Sequence, residues 1–378
     1  MKRRAFLHTG FAAGVLGAGA GTVGTVALPT FLGASPRRLA GGSVRLNSNE
    51  NPLGISPSAR HAILEGLDMA NRYPGDSRTP VVEAVAQKHG VGTENLVMGA
   101  GSTEVLQMAV QMMGPDVQLV IADPTFEDVW RYATPWSLKV EKVPLLADYS
   151  HDLGRMRDIV RRWNGPSLVY VCNPNNPTAT LTSSAAVDEW IESAPDNVFF
   201  LVDEAYYEYA ESQPNYWSAL KYVKTNPNVM VARTFSKIYA MAGLRLGYGV
   251  GHESMIEKIG FLASRNNANH LACVAAVASL EDDGLIERSV HSNAHAKKIV
   301  EDALDELGIE RLPSYANFMM HRIKGDLADY RNRMAEQGWL VGRPFPPMLS
   351  YNRVSFSTPD DMERFAETLR DFRSRGWV

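Results

Sequence analysis

Arg233-Thr-Phe-Ser-Lys-Ile-Tyr-Ala-Met-Ala-Gly-Leu-Arg-Leu-Gly-Tyr248 sets a lysine, hydroxyls and a second cation inside otherwise apolar sequence. Among small and apolar neighbours Lys237 loses hydration, so its pKa falls and its free amine can condense with an aldehyde. Arg245 cannot deprotonate and suits a permanent anion such as a phosphate. The hydroxyls of Thr234 and Ser236 lie beside the lysine in the same stretch. An aldehyde and a phosphate on one ligand suggest pyridoxal 5'-phosphate. A lone Ser-Lys pair also reads as a surface lysine with its stem laid along apolar sequence, so the rest of the chain has to decide.

Three upstream motifs bear on that choice. Gly99-Ala-Gly-Ser-Thr-Glu104 follows a strand-like run and opens a helix whose apolar face includes Val105, Leu106, Ala109, Val110 and Met113. Gly101 lets the backbone approach an anion, and Ser102 and Thr103 stand at a helix N-terminus with unpaired amides and a positive dipole end. A plain glycine turn with a serine cap fits the local sequence equally well. The dinucleotide spacing Gly-x-Gly-x-x-Gly is missing, so NAD is not indicated. Asp203 follows the apolar run Val198-Phe-Phe-Leu-Val202, which puts it at the carboxyl end of a strand, where open α/β sheets bind ligands. In a pyridoxal phosphate site that carboxylate pairs with the protonated ring nitrogen and keeps the ring an electron sink. Tyr206 and Asn176, the latter in Asn173-Pro-Asn-Asn-Pro-Thr178, can both hydrogen-bond the ring's phenolic oxygen. A helix cap for Asp203 and a simple turn for the Asn-Pro run are the structural readings of the same residues.

In this order the motifs resemble the fold-type I pyridoxal phosphate-dependent aminotransferases, most closely the histidinol-phosphate aminotransferase branch, from about Asn47 to the C-terminal region. The resemblance implies an enzyme that moves an amino group between an L-amino acid and a 2-oxo acid. Lys237 then holds the cofactor and moves the substrate proton, with Asp203 and Tyr206 as its catalytic partners. Phe126, in Asp123-Pro-Thr-Phe126, matches the aromatic on which the ring stacks, and Arg353, in Arg-Val-Ser-Phe-Ser, matches the arginine that grips the substrate carboxylate. Arg343 matches a second substrate-side arginine, and Asn176 serves substrate as well as cofactor. Tyr73 matches a tyrosine that reaches the neighbouring subunit's cofactor phosphate, which implies a homodimer with shared sites. Three positions depart from the pattern. Ala179 and Ala240 stand where glycine is usual, adding methyls that would narrow the site, and Leu53 stands where histidinol-phosphate enzymes often carry a phosphate-holding tyrosine. Decarboxylation, carbon–sulfur lysis or oxidation on the same cofactor is the alternative reading, and a non-catalytic cofactor-binding protein a further one.

The rest of the chain sets the frame for these groups. With 378 residues, 45% of them hydrophobic, it can bury a large core. A net charge of -4 without a Lys/Arg-rich tract gives no reason to expect nucleic acid. No His/Cys cluster has metal-ligand spacing, so no metal is expected, and Cys172 and Cys273 read as lone core thiols. Short apolar runs at Leu96 to Met98, Gln118 to Ala122, Leu168 to Cys172, Phe199 to Val202, Val229 to Ala232 and Leu246 to Val250 alternate with amphipathic windows. That alternation predicts an α/β fold, a mostly parallel sheet between helices, for a large domain over 73–284. A smaller α+β domain is expected over 285–378, and 35–72 reads as an arm lying against another surface. Residues 1–34 look like a twin-arginine export signal: Lys2-Arg3-Arg4 precedes a long Gly/Ala-rich run, with cleavage after Ala27 or Ala34. Export to the periplasm by the twin-arginine machinery, with no stable membrane span in the mature chain, is the expectation. An uncleaved N-terminal anchor is its alternative.

Overall fold

The computed structural model describes residues 42–378. The segment 1–34, expected to be an export signal, lies outside the described residues with both candidate cleavage points. Among the described residues eleven strands follow in chain order: β1 (Val44–Leu46), β2 (Leu96–Gly99), β3 (Gln118–Asp123), β4 (Lys139–Pro144), β5 (Ser167–Cys172), β6 (Val198–Asp203), β7 (Val229–Thr234), β8 (Gly247–Gly251), β9 (Phe318–Arg322), β10 (Trp339–Val341) and β11 (Tyr351–Ser355). β2 to β8 make one seven-stranded sheet in the order β2-β8-β7-β6-β5-β3-β4, in which β8 alone runs against its neighbours.

The central strands are apolar on both faces because helices cover both. Val198, Phe200 and Val202 of β6 point into one core with Val229 and Val231, while Leu201 points into the other with Tyr170, Met230 and Ala232. A continuous apolar run is what such a doubly covered parallel strand requires. β4 is the exception. Its sequence Lys-Val-Glu-Lys-Val-Pro alternates charge with valine, as suits an edge strand whose outer groups must discourage pairing with another chain.

Beyond the sheet, antiparallel β9 and β11 and the parallel pair β1 and β10 form two small sheets. Their core includes Val300, Met319, Val354 and Phe365, under the helices Leu285–Glu306, Leu327–Glu336 and Pro359–Ser374. The helix Leu285–Glu306 ties the two regions together, with Leu285 in the core of the large sheet and Ala296, Val300 and Leu304 in the smaller core. The segment read as an arm divides between them. Val44 and Leu46 are buried in the smaller core, and Ala59 of the helix Pro57–Gly66 is buried in the larger one. All described residues belong to one compact unit. None of the described helices is long and apolar enough to cross a membrane. Cys172 and Cys273 are buried and unbridged.

Candidate active site

The carboxyl ends of β3, β5, β6 and β7, with the turn after β2, open into a cleft of about 290 Å³. Ser102, Thr103, Phe126, Asn176, Asp203, Tyr206, Thr234, Ser236, Lys237, Arg245, Arg343 and Arg353 all line it. The sequence scatters these residues over 252 positions, and the parallel sheet brings them together because successive strands end on the same edge.

One end of the cleft is built for an anion. Gly101 caps the helix Ser102–Met112 with a φ of +79°, and a Cβ there would lie 2.2 Å from the Arg245 guanidinium. Only glycine meets both demands. Glu104 fixes the turn from behind, its Oε2 accepting from the Ala100 amide at 2.6 Å and from Asn267 at 3.0 Å. Opposite, the Thr234 hydroxyl donates to Ser236 Oγ at 2.9 Å and accepts the Ser236 amide at 3.1 Å. Arg245, itself left-handed at φ 59°, donates to Ser236 Oγ, Ala242 O and Ala100 O. Ser102 and Thr103 at the helix N-terminus, with Thr234, Ser236 and Arg245, thus line the same cleft, a donor set suited to a phosphate.

Asp203 holds the floor. It is only 3% exposed, and its two oxygens accept from the Tyr170 hydroxyl at 2.8 Å and the Ala205 amide at 3.1 Å. Burial pushes its carboxyl up to about 6 against these hydrogen bonds, so above that pH it carries a charge for which a cationic ring nitrogen is the natural partner. Tyr206 stands beside it and accepts from Asn49 at 3.0 Å and Asn176 at 3.4 Å. Burial holds this phenol well above its ordinary range, so its O–H stays a donor at every working pH.

Lys237 reaches the same space from the turn after β7, with Nζ 3.4 Å from Ser48 O and 5.6 Å from the centre of the Tyr206 ring. Its pKa falls to about 8, first through burial and then through the nearby Arg353 charge. About a tenth of the amine is thus neutral at pH 7 and about half at pH 8, far more than for an ordinary lysine, and that neutral share can act as nucleophile or base.

At the other end Arg353, 6% exposed, donates to Asn176 Oδ1 and Asn47 O, both at 2.7 Å. Its Nε is buried without a partner. Phe345 lies 4.6 Å beneath its guanidinium and 4.3 Å beneath that of Arg343. Arg343 is half exposed at the mouth and pairs with Glu127 at 2.8 Å. Tyr73 is 85% exposed and does not line the cleft of its own chain.

The two alanines at glycine positions act differently from the sequence expectation. Neither lines the cleft, so their methyls do not narrow it. Both sit at left-handed φ, 62° for Ala179 and 57° for Ala240, so the departure costs backbone strain instead. Ala179 packs behind Tyr206 against Ala205, Ala316 and Phe318. Sequence reasoning also missed Asn49, Glu127, Tyr170 and Phe345. The crowding of asparagines in Asn47-Ser-Asn-Glu-Asn51 was the available signal for the first, since Asn49 adopts a φ of 53° that asparagine tolerates better than most residues.

Comparison with known proteins agrees with this geometry. Residues 42–369 match the family "Aminotransferase class I and II". The histidinol-phosphate aminotransferase of Moorella thermoacetica is 36% identical over 333 residues, 87% of this chain and 85% of that protein. A crystal structure from Erwinia carotovora atroseptica superposes with a TM-score of 0.88 at 36% identity, covering 92% of this chain and all of that one. The fold is shared with histidinol-phosphate aminotransferase from Sinorhizobium meliloti, solved in complex with pyridoxal-5'-phosphate, at a TM-score of 0.81 and 24% identity over 88% of this chain and 91% of that one. The phosphate cradle at Gly101, the buried carboxylate at Asp203 and the softened amine of Lys237 fit that cofactor. The chain belongs to the class I and II aminotransferase family and is a pyridoxal 5'-phosphate-dependent transaminase.

Proposed function

We propose that this enzyme exchanges the amino group of a carboxylate-bearing L-amino acid with a 2-oxo acid, as a homodimer exported by the twin-arginine route. The observation that carries the reaction is the convergence of Lys237, Asp203 and Arg353 on one cleft: a base, a ring anchor and a carboxylate grip. Pyridoxal 5'-phosphate, when bound, supplies an aldehyde for the substrate amine and a cationic ring that draws electrons from the substrate Cα. Ser102, Thr103, Ser236 and Arg245 would hold its phosphate, Phe126 its ring face, and Tyr206 with Asn176 its phenolic oxygen. Asp203 keeps a proton on the ring nitrogen. Arg353 orients the substrate carboxylate with its planar fork, and Lys237 Nζ takes the Cα proton and returns it on the cofactor side.

Leu53 favours a carboxylate over a phosphate ester as the group recognised. It is partly exposed and has no hydroxyl to offer at the position where the resembled enzymes place a phosphate-holding tyrosine. The shared-site dimer is supported by the exposure of Tyr73 together with Leu64, Leu67, Met69 and Phe261. Export rests on the paired arginines Arg3 and Arg4.

An amino-acid panel on the reconstituted enzyme tests the reaction. The expected result is equal yields of pyridoxamine 5'-phosphate and 2-oxo acid, lost in Lys237→Ala; carbon dioxide or ammonia released without an acceptor would instead mean another chemistry. Mixing Lys237→Ala with the weakened Tyr73→Phe should raise activity above that of the two variants kept apart, by up to about a quarter of wild type, through hybrid dimers with one intact site, whereas no gain would contradict a site shared between subunits. Fractionation of cells carrying Arg3→Lys/Arg4→Lys should find the protein retained in the cytoplasm, and unchanged export would remove that part of the proposal.

A further inference from the structure

We infer that Tyr170 is a positioning residue for the cofactor ring: its hydroxyl, donated to Asp203, orients that carboxylate and keeps it ionised. The inference rests on the cofactor reading above and adds a residue to it. β5 and β6 run parallel with Cys172 opposite Asp203, so Tyr170, two residues earlier, faces the same side of the sheet. Its side chain is wholly buried, and its Oη lies 2.8 Å from Asp203 Oδ2. Among the described residues it is the one side chain shown to hydrogen-bond that carboxylate, because the contact to Oδ1 comes from the Ala205 main chain at 3.1 Å. A phenylalanine would fill the same apolar surroundings without a buried hydroxyl to satisfy. The tyrosine is therefore explained by what its hydroxyl does to Asp203.

The electrostatics agree. Burial raises the Asp203 carboxyl to about 6, and the Tyr170 hydrogen bond is foremost among the influences that oppose it, ahead of the Ala205 amide and the Lys237 charge. Glu204, next in the chain, pushes it further up. Cys172 and Tyr206 also face this carboxylate, and burial holds both in their neutral forms. Without the Tyr170 donor Asp203 would take up its proton nearer neutrality and could no longer pair with a cationic ring nitrogen.

Tyr170→Phe, Asp203→Asn and the double variant, titrated with pyridoxal 5'-phosphate by absorbance from pH about 6 to about 9, test this. In Tyr170→Phe the dissociation constant should rise about tenfold or more, and the acid limb of its pH profile should move toward neutral pH. In the Asp203→Asn background, where no charge remains to protect, the same substitution should change affinity less than about twofold. An equal loss in both backgrounds, an unmoved pH profile, or a Tyr170→Phe chain that does not fold would each overturn the inference, since each assigns the hydroxyl to the fold. Failure of the wild-type protein to bind the cofactor at all would instead overturn the functional reading.

Discussion

Asp203 and Glu204 are consecutive carboxylates at the end of β6, 3% and 2% exposed, yet they face opposite sides of the sheet and opposite surroundings. Glu204 is fully compensated. Arg233 donates to its Oε2 through Nε at 3.1 Å and Nη2 at 2.7 Å, the Ser218 hydroxyl donates at 2.7 Å, and the Ala219 amide reaches Oε1 at 2.8 Å. The Tyr207 ring lies 3.9 Å under the same guanidinium. Asp203 has one hydroxyl, one amide and the more distant Lys237 charge. A buried charge with all its partners holds the fold together; one left short of partners is held ready for a ligand that brings the missing charge. The contrast also places the cost of the active site, since Asp203 is ionised at neutral pH against an environment that favours its acid.

Substitutions can sharpen or break this contrast. The largest stability effect should come from the back of the sheet: Arg233→Met leaves Glu204 buried and unpaired, which should cost about 3–5 kcal/mol in denaturant unfolding. Turnover there should fall only as far as unfolding accounts for. Asp203→Asn should do the reverse. Transamination should drop on the order of 10²–10³-fold, the usual loss when one preorganised charge is removed. Stability of the cofactor-free protein should rise at the same time. A carboxyl whose folded pKa lies above its unfolded value costs nothing below the unfolded value of 3.8, and its full penalty is present above about 6. Neutral asparagine escapes a penalty of up to about 3 kcal/mol at pH 8, and its amide can donate to the Tyr170 oxygen, which accepts as well as donates.

A third effect concerns Lys237. In the cofactor-free protein its amine is protonated below about 8, so the initial rate of pyridoxal 5'-phosphate capture should climb with pH and level off above that value. A flat profile would mean the amine is not softened. The smallest effect is expected at Ala240. Glycine would relieve its left-handed backbone but loosen the unfolded chain, so Ala240→Gly should shift stability by less than about 1 kcal/mol and leave turnover unchanged.

Asp203 was legible in the sequence because an apolar run ending in a carboxylate marks both a strand and its ligand-facing edge. Lys237, Arg245 and the Gly101 turn were legible for a related reason: each is a polar or flexible residue in a place where packing alone would choose otherwise. What stayed hidden had an adequate simpler reading. Tyr170 in β5 looks like any core aromatic, and only the register with β6 reveals its hydroxyl facing Asp203. Glu127 looks like a surface residue until Arg343 arrives from a distant turn. Asn49 enters the site because β1 pairs with β10, a contact nearly three hundred residues apart. β4 escaped notice since its charges satisfy an edge, and the short apolar runs used to find strands assume burial on both faces.

The trade between stability and cofactor binding at Asp203 is tested most directly by denaturant unfolding of the wild type and Asp203→Asn at pH 8, each with and without saturating pyridoxal 5'-phosphate. The expected result is a crossover: Asp203→Asn the more stable without cofactor, the wild type the more stable with it. An Asp203→Asn protein that is less stable in both states, or that gains as much from the cofactor as the wild type does, would contradict the assignment of Asp203 as a charge held in reserve for the ring.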